Sequence, residues 1–267
     1  MDSYHEINAD ARRESCRGFL PLVLHVSWVG RIIAALRWLA STARRLLRQS
    51  GFPGVPKSSA WAEWYKDLYR DLGERALQSG QPGQQVPELI LHDMEGNYQQ
   101  LSRCWRGHPA LLVTMSLTCG QTRQQIRGLR QLSQRFENDI NTVIIYVVEP
   151  HPVNERSPYA DGIWVTTKNE MAGIRCNQPR TVQERVELAH RMRQRFRLSS
   201  FTLIDTLDNR AWQAFGGAPN VAILVGCDGK IALKQGWFEA TEMEHAITGL
   251  LKASLDANPG YRMSSHG

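Results

Sequence analysis

Two runs of mostly apolar residues mark the middle of the chain, at 110–116 and 142–148. The second run, Thr-Val-Ile-Ile-Tyr-Val-Val, consists of β-branched and aromatic residues. Uninterrupted runs of this kind are typical of parallel strands that are buried on both faces of a sheet. Helices are predicted after the two strands, over 121–137 and 181–196, the latter with Thr181 as its N-cap. The pattern therefore predicts the core of an α/β domain.

Shorter elements are predicted on either side of this core. Two hairpins are expected, one around 94–97 and one around Cys227-Asp228-Gly229, which is a strong turn signal. The other predicted elements are a strand at 201–204, a short helix at 211–215, a helix at 240–252 and an irregular stretch from 149 to about 179. Strand, helix, strand, helix, hairpin and helix is the order of a thioredoxin-like fold. We therefore expect a central mixed sheet with flanking helices over residues 85–252.

The N-terminal part of the chain has a different pattern. Residues 18–40 are rich in apolar residues, and from 32 to 48 apolar residues recur at helical spacing with arginines on the opposite face. A basic amphipathic helix of this kind is typical of a membrane surface. We therefore predict that residues 18–50 form a basic amphipathic or membrane-anchoring helix. The alternative is a helix that packs on the protein's own body.

Three further segments complete the predicted organisation. Residues 1–17 and 253–267 are expected to be disordered. Residues 51–84 are predicted to contain a linker, a helix and a second linker, Gly80-Gln81-Pro82-Gly83-Gln84. We place the main domain boundary at this second linker.

Composition and charge indicate which partners and which cellular compartment the chain is suited to. The 267 residues carry a formal net charge of +6, and arginines crowd the first fifty residues. Nucleic acid is not expected as a partner because the chain has no zinc-finger spacing, RNA-binding aromatic motif or helix-turn-helix pattern. The five cysteines form no C-x-x-C pair and no His/Cys metal spacing, which argues against disulfide staples and a metal site. We expect the globular body in a reducing, cytosolic compartment, membrane-associated or, alternatively, soluble in the cytoplasm.

The residues that follow the two core strands carry the candidate chemistry. Cys119 directly precedes the predicted helix, so its sulfur would lie at the positive end of the helix dipole, with a depressed pKa and nucleophilic character. Ser116 and Thr118 are near enough to donate hydrogen bonds to it. Glu149 and His151 end the second strand, at the edge where α/β sheets form sites. Because a neighbouring carboxylate raises the basicity of a histidine, we expect His151 to donate protons at neutral pH.

Short motifs around these residues resemble two thioredoxin-fold families. The motif Cys-Gly-Gln-Thr at 119–122 is similar to the peroxidatic motif of glutathione peroxidases. The motif Ser-Leu-Thr-Cys at 116–119 resembles that of the iodothyronine deiodinases, which have selenocysteine at the cysteine position. The segment 144–152, ending in Glu-Pro-His-Pro, closely resembles the deiodinase Glu-x-His-Pro segment. Further blocks follow in the deiodinase order at 161–164, 183–190 and 203–219, so the resemblance covers about residues 85–252.

The deiodinase resemblance implies an activity and a set of site residues. It implies a thiol-dependent oxidoreductase that removes a halogen reductively from an iodothyronine-like or other aryl halide. Cys119 would be the nucleophile, and His151 would protonate or orient the substrate. Trp164 and Pro219 would contact the substrate, the latter at the position where thioredoxin folds usually have a cis-proline facing the reactive sulfur.

The resemblance also has consequences for partners. The cycle needs an external thiol reductant (thioredoxin, glutaredoxin or glutathione), and Cys176 is the candidate resolving thiol within the chain. No tightly bound cofactor and no metal are expected, and a homodimer would suit the family. Pro179 and Val221 stand where the family has a histidine and an arginine, which leaves the substrate open. Two alternatives remain: a thiol peroxidase that uses the same cysteine, and a non-catalytic thioredoxin-fold binding protein.

Overall fold

The computed structural model describes residues 59–257, so the predictions for residues 1–17 and 18–50, and for 258–267 of the predicted tail, lie outside the described residues. The helices are α1 (Ser59–Gln78), α2 (Gly120–Arg135), α3 (Thr167–Met171), α4 (Val182–Phe196), α5 (Arg210–Ala214) and α6 (Ala240–Ala257). The strands are β1 (Ile90–His92), β2 (Tyr98–Gln100), β3 (Ala110–Met115), β4 (Asn141–Tyr146), β5 (Phe201–Ile204), β6 (Ala222–Val225) and β7 (Ile231–Gln235). A 3₁₀ helix, Leu101–Trp105, connects β2 to β3.

The seven strands form one mixed sheet in the order β2-β1-β5-β4-β3-β6-β7. Strands β3, β4 and β5 are parallel, whereas β6 is antiparallel to β3 and pairs with β7 in the second hairpin. The four neighbours β4-β3-β6-β7, with α2, α4 and α6 between and after them, are the thioredoxin-like core. The predicted thioredoxin-like α/β fold of the domain is therefore confirmed, with β5 and the first hairpin extending the sheet.

Both faces of the sheet are covered, which explains the uninterrupted apolar runs. In β3, Leu111 and Val113 pack in one cluster with residues of α2, α4 and α6. Leu112, between them, packs in a second cluster with residues of α1, α5 and the 3₁₀ helix. Successive side chains of a strand point to opposite faces, so a strand between two helical layers has no exposed face that would favour polar residues.

Two local features differ from the predicted pattern. The stretch from 149 to 179 contains a short helix, α3, whose N-cap Thr166 accepts a hydrogen bond from the N–H of Asn169. Strand β4 ends at Tyr146, two residues before the apolar run does, although Val147 still donates a backbone hydrogen bond to Met115. Apolar sequence continues past the strand because both valines are buried.

Helix α1 packs directly on the edge of the sheet. The rings of Tyr69 and Trp237 are stacked with centroids 4.2 Å apart, and the indole N–H of Trp237 donates to the Tyr69 carbonyl. The backbones of Gly73 and Gly236 approach so closely that a Cβ on Gly236 would lie 2.3 Å from the Gly73 oxygen. The compact unit accordingly begins at Ser59, whereas the sequence pattern places the main boundary at 80–84. None of the helices between residues 59 and 257 is long and apolar enough to cross a membrane.

Candidate active site

Cys119 lies at the junction between β3 and α2. It is the N-cap residue of α2, with extended backbone angles, and its sulfur accepts a hydrogen bond from the N–H of Thr122 at 3.5 Å. Only 3% of the residue is exposed. The sulfur therefore takes the place that a serine or aspartate oxygen usually takes at a helix N-terminus, as the sequence predicts.

Burial gives Cys119 a different acidity from the one that its helix position suggests. Burial of the sulfur away from solvent raises the pKa of the Cys119 thiol, and the charge of Glu149 adds to this effect. Hydrogen bonds from Thr122 and Gln121 lower the same pKa but do not outweigh the burial. The expectation of a depressed pKa is therefore wrong for this closed arrangement, because desolvation penalises a thiolate more than the helix terminus favours it. Cys119 rests as a thiol and needs a base, or access of water, to become nucleophilic.

Glu149 is fully buried and accepts hydrogen bonds from four donors. The N–H of Leu117 donates to Oε1, and the N–H and hydroxyl of Thr118 donate to Oε2 at 2.8 and 2.5 Å. The Tyr146 hydroxyl also donates to Oε1. The carboxylate thus fixes the turn that leads into Cys119, and none of these hydrogen bonds involves the predicted partner, His151.

His151 is held by other contacts. Its ring Nδ1 lies 3.0 Å from the carbonyl oxygen of Trp164, and its backbone N–H donates to the Thr118 hydroxyl at 3.1 Å. Because a carbonyl only accepts, Nδ1 must carry the proton, which leaves a lone pair on Nε2. Burial lowers the pKa of His151 to about 4, with the nearby Arg123 contributing to the shift. The expectation of a Glu149-supported proton donor is wrong, because resting His151 is neutral and can only accept a proton through Nε2.

The lowered pKa of His151 predicts a dependence of stability on pH. Between pH 6.5 and 4 the unfolded chain binds a proton at this position and the folded chain does not. The contribution of neutral His151 to the free energy of unfolding is therefore complete above pH 6.5 and is lost as the pH falls towards 4. In His151→Asn the amide can still donate to the Trp164 carbonyl but cannot take up a proton. As the pH falls through this range, we expect the free energy of unfolding of the variant to decrease by up to about 3 kcal/mol less than that of the wild type. Urea unfolding at a series of pH values measures the difference.

The matched control for this prediction is His190→Asn, which changes an exposed histidine on α4. Its unfolding free energy should follow the wild-type pH dependence. Parallel pH curves for wild type and His151→Asn would contradict the assigned neutral, buried state of His151.

The wall beside His151 is aromatic. The rings of His151 and Trp164 meet edge to face with centroids 4.4 Å apart. On its outer side Trp164 contacts two residues of α1, Trp64 at 5.4 Å and Tyr65 at 6.2 Å. The predicted site residue Trp164 is thus brought to His151, and α1 supports it from behind.

The side chains of the remaining predicted site residues, Ser116, Pro219 and Cys176, make no hydrogen bond to the Cys119 sulfur among the contacts of residues 59–257. Ser116 is buried, and its hydroxyl has no hydrogen-bond partner within residues 59–257. Pro219 is buried just before β6, and since residues 59–257 contain no cis peptide bond, its bond to Ala218 is trans, unlike the usual arrangement of the fold. Cys176 is buried beside Glu149, and burial raises the pKa of its thiol. Cys119 and Cys176 are both free thiols.

Three further residues belong to this site and were missed in the sequence. Tyr146 donates to Glu149, and the amide of Asn169 donates to the Thr118 carbonyl at 2.9 Å. The Arg123 guanidinium lies 3.4 Å from the Cys119 carbonyl oxygen. Arg123 could have been found, because it follows Cys119 by one helical turn. The contact of Tyr146 with Glu149 spans only three residues, so it too has a local signal, whereas the contact of Asn169 with Thr118 joins distant parts of the chain and no local pattern reveals it.

Comparisons with known proteins place this chain among others of similar sequence and structure. A family model described as iodothyronine deiodinase matches residues 60–242, which is more than half of the chain. A search of curated proteins gave no match. A thiol-disulfide oxidoreductase from Bacteroides fragilis is 16% identical with a TM-score of 0.42, over 64% of this chain and all of that one. A thiol:disulfide interchange protein from Bacteroides sp. is 12% identical with a TM-score of 0.47, over 67% and 96% of the two chains.

Proposed function

Because the chain belongs to the iodothyronine deiodinase family and is a thiol-dependent oxidoreductase, we propose that it removes a halogen reductively from an aryl halide. The observation that carries this proposal is the position of Cys119, whose sulfur caps α2 directly after Thr118, a residue that hydrogen-bonds both the buried Glu149 and the backbone of the neutral His151. These groups supply a nucleophile, a proton acceptor and a rigid support, which are the parts that nucleophilic thiol chemistry needs.

His151 is proposed to begin the cycle as the base once water or substrate enters the site, because burial in the closed site lowers the pKa of His151 and raises the pKa of Cys119, and both shifts oppose the proton transfer. Its Nδ1 is committed to the Trp164 carbonyl, so Nε2 is the atom that can take the proton of Cys119. Arg123 interacts electrostatically with both Cys119 and His151, which supports a common site for the three side chains. The positive charge of Arg123 favours the thiolate once it forms.

The chemical step then transfers the halogen from carbon to sulfur. The Cys119 thiolate attacks the halogen, a sulfur–halogen bond forms, and the carbon–halogen bond breaks with its electron pair left on carbon. That carbon takes up one proton, which the imidazolium form of His151 can return. A reductant thiol next displaces halide from the sulfenyl halide and forms a mixed disulfide, and a second thiol frees Cys119. In sum, an aryl halide and two thiols give the dehalogenated arene, one disulfide and one hydrogen halide.

Several expectations about partners remain proposals. An external thiol, such as thioredoxin, glutaredoxin or glutathione, is the proposed reductant, because Cys176 is buried and burial raises the pKa of its thiol. No tightly bound cofactor is required by these steps. The membrane-surface helix at 18–50 lies outside the described residues, and homodimerisation stays a prediction.

The experiment that tests the proposal uses the full chain. Purified wild type and Cys119→Ser are supplied with dithiothreitol and a panel of iodinated phenols, and iodide release is measured. We expect release by the wild type and a loss of at least about a thousandfold in the variant, because a serine hydroxyl is a far weaker nucleophile for a soft halogen. Serine keeps the helix cap, so the loss should occur without unfolding.

Hydrogen and alkyl peroxides form the second arm of the same experiment. Peroxide turnover that depends on Cys119, without iodide release, would assign the chain to the thiol peroxidases instead. No turnover in either arm, together with a Cys119 that does not react with alkylating agents at neutral pH, would leave a thioredoxin-fold binding protein.

A further inference from the structure

An open cleft of about 290 Å³ lies next to the turn that carries Cys119. Its apolar side is formed by Leu117, two residues before Cys119, and by Ile174. Its polar side is formed by three residues of α4, namely Arg191, Gln194 and Arg195. The dehalogenation steps described above use none of these α4 residues.

The arginines of this cleft lack acidic partners. Arg191 donates to the Arg175 carbonyl at 3.2 Å, and Arg195 donates to the Ala172 carbonyl at 2.5 Å. The ion pairs found within 4 Å among residues 59–257 join other side chains and include neither of them. Each guanidinium has five N–H donors, so most of the donors of both arginines are not used by protein groups.

Two acidic residues of α4 line a different cleft. Glu184 and Glu187 line a neighbouring opening of about 550 Å³, which Arg191 also borders. Glu187 precedes Arg191 by one helical turn, but no ion pair joins them at 4 Å or less. The residues that line the cleft beside Leu117 thus include two arginines and no acidic side chain.

A third guanidinium connects this charge to the reactive sulfur. Burial lowers the pKa of the Arg123 guanidinium, and the positive charge of Arg195 adds to this effect. The interaction with Cys119 acts in the opposite direction and raises the same pKa. Arg123 is thus close enough to interact electrostatically with Cys119 on one side and with Arg195 on the other. Positive charge thus extends from the cleft to the cysteine, although the buried Glu149 carboxylate also acts on Cys119 and accepts from the N–H of Leu117.

We propose that Arg191 and Arg195 form a subsite that binds the carboxylate of a small molecule brought to Cys119. Residues four apart lie on the same face of a helix, so the two guanidinium groups can hold one anion between them. Arginine is suited to this because its planar N–H groups match the two oxygens of a carboxylate. The inference rests on the proposed function for the identity of the ligand, which is either the aryl halide or the thiol reductant.

Direct binding tests the subsite independently of turnover. The full chain is titrated calorimetrically with N-acetyl-S-methylglutathione, which cannot act as a reductant, and with its diethyl ester, which lacks the carboxylates and is uncharged. A second pair of probes is 4-iodophenylacetate and 4-iodophenol. We expect the acid form of at least one pair to bind more tightly than its neutral counterpart, with an affinity that falls as sodium chloride is raised. The pair that shows the difference identifies the source of the carboxylate.

Substitution locates the binding on the α4 arginines. In the double variant Arg191→Gln/Arg195→Gln, we expect the affinity for the acid probe to fall about tenfold or more, which corresponds to about 1.4 kcal/mol. The affinity for the neutral probe is expected to stay unchanged. The control Arg106→Gln/Lys252→Gln removes two exposed charges that do not line the cleft and should bind as the wild type does. Equal binding of acid and neutral probes, or an unchanged affinity in the α4 double variant, would overturn the proposal. Neither result depends on whether iodide is released.

Discussion

Glu149→Leu is expected to destabilise the folded chain by about 3–5 kcal/mol and to abolish turnover. The substitution keeps a similar volume but removes both oxygens that accept from Leu117, Thr118 and Tyr146. Each buried donor left without a partner costs about 1–3 kcal/mol, and the costs of neighbours are not strictly additive. Urea unfolding gives the free energy, and iodide release gives the activity.

Tyr146→Phe is the graded control for this prediction. It removes one of the four donors and leaves the carboxylate with three, so a loss of about 1 kcal/mol is expected. Burial raises the pKa of Tyr146 well above its ordinary value, which keeps the hydroxyl protonated and able to donate. If Glu149→Leu proved as stable as Tyr146→Phe, the carboxylate would not be the group that holds the turn before Cys119.

Gly236→Ala is expected to cost about 3 kcal/mol by separating α1 from β7. The added Cβ would lie 2.3 Å from the Gly73 oxygen and 2.7 Å from its Cα. No side-chain rotation relieves a clash between two backbones, so the helix must move and the stacking of Tyr69 on Trp237 is lost. The midpoint of thermal unfolding measures the cost, and tryptophan fluorescence reports the movement of Trp237.

The same change at Gly249 serves as the control. Gly249 lies in α6, where a Cβ would meet no atom within 4 Å. Alanine is a better helix former than glycine, so Gly249→Ala should be neutral or stabilising by up to about 1 kcal/mol. A Gly236→Ala protein with the thermal midpoint of the wild type would show that α1 tolerates displacement from the sheet.

Elements that depend on neighbouring residues could be predicted well from the sequence. The apolar runs gave β3 and β4 to within two residues, because a strand covered on both faces leaves no position for polar side chains. The sequence also predicts Thr181 as the N-cap of α4, and in the structure its hydroxyl accepts a hydrogen bond from the backbone N–H of Glu184. The position of Cys119 at the start of α2 followed from the same local logic.

The electrostatic state of the site could not be predicted in the same way. The sequence shows that Cys119 begins a helix, but it does not show that water is excluded from the sulfur, and exclusion decides the direction of its pKa shift. Glu149 and His151 are two residues apart, which suggested a pair, yet Glu149 is bound by Thr118 from another strand end. Contacts across 31 residues depend on how β3 and β4 align in the sheet, and local spacing does not contain that information.

The docking of α1 has a consequence for how the enzyme can be shortened. Trp64 and Tyr65 lie upstream of the expected boundary at 80–84, yet they contact the tryptophan whose carbonyl orients the imidazole of His151. A recombinant protein that starts at residue 81 lacks this buttress and exposes the apolar side of the sheet that α1 covers. Inactivity of such a fragment would therefore be no evidence against the chemistry of Cys119.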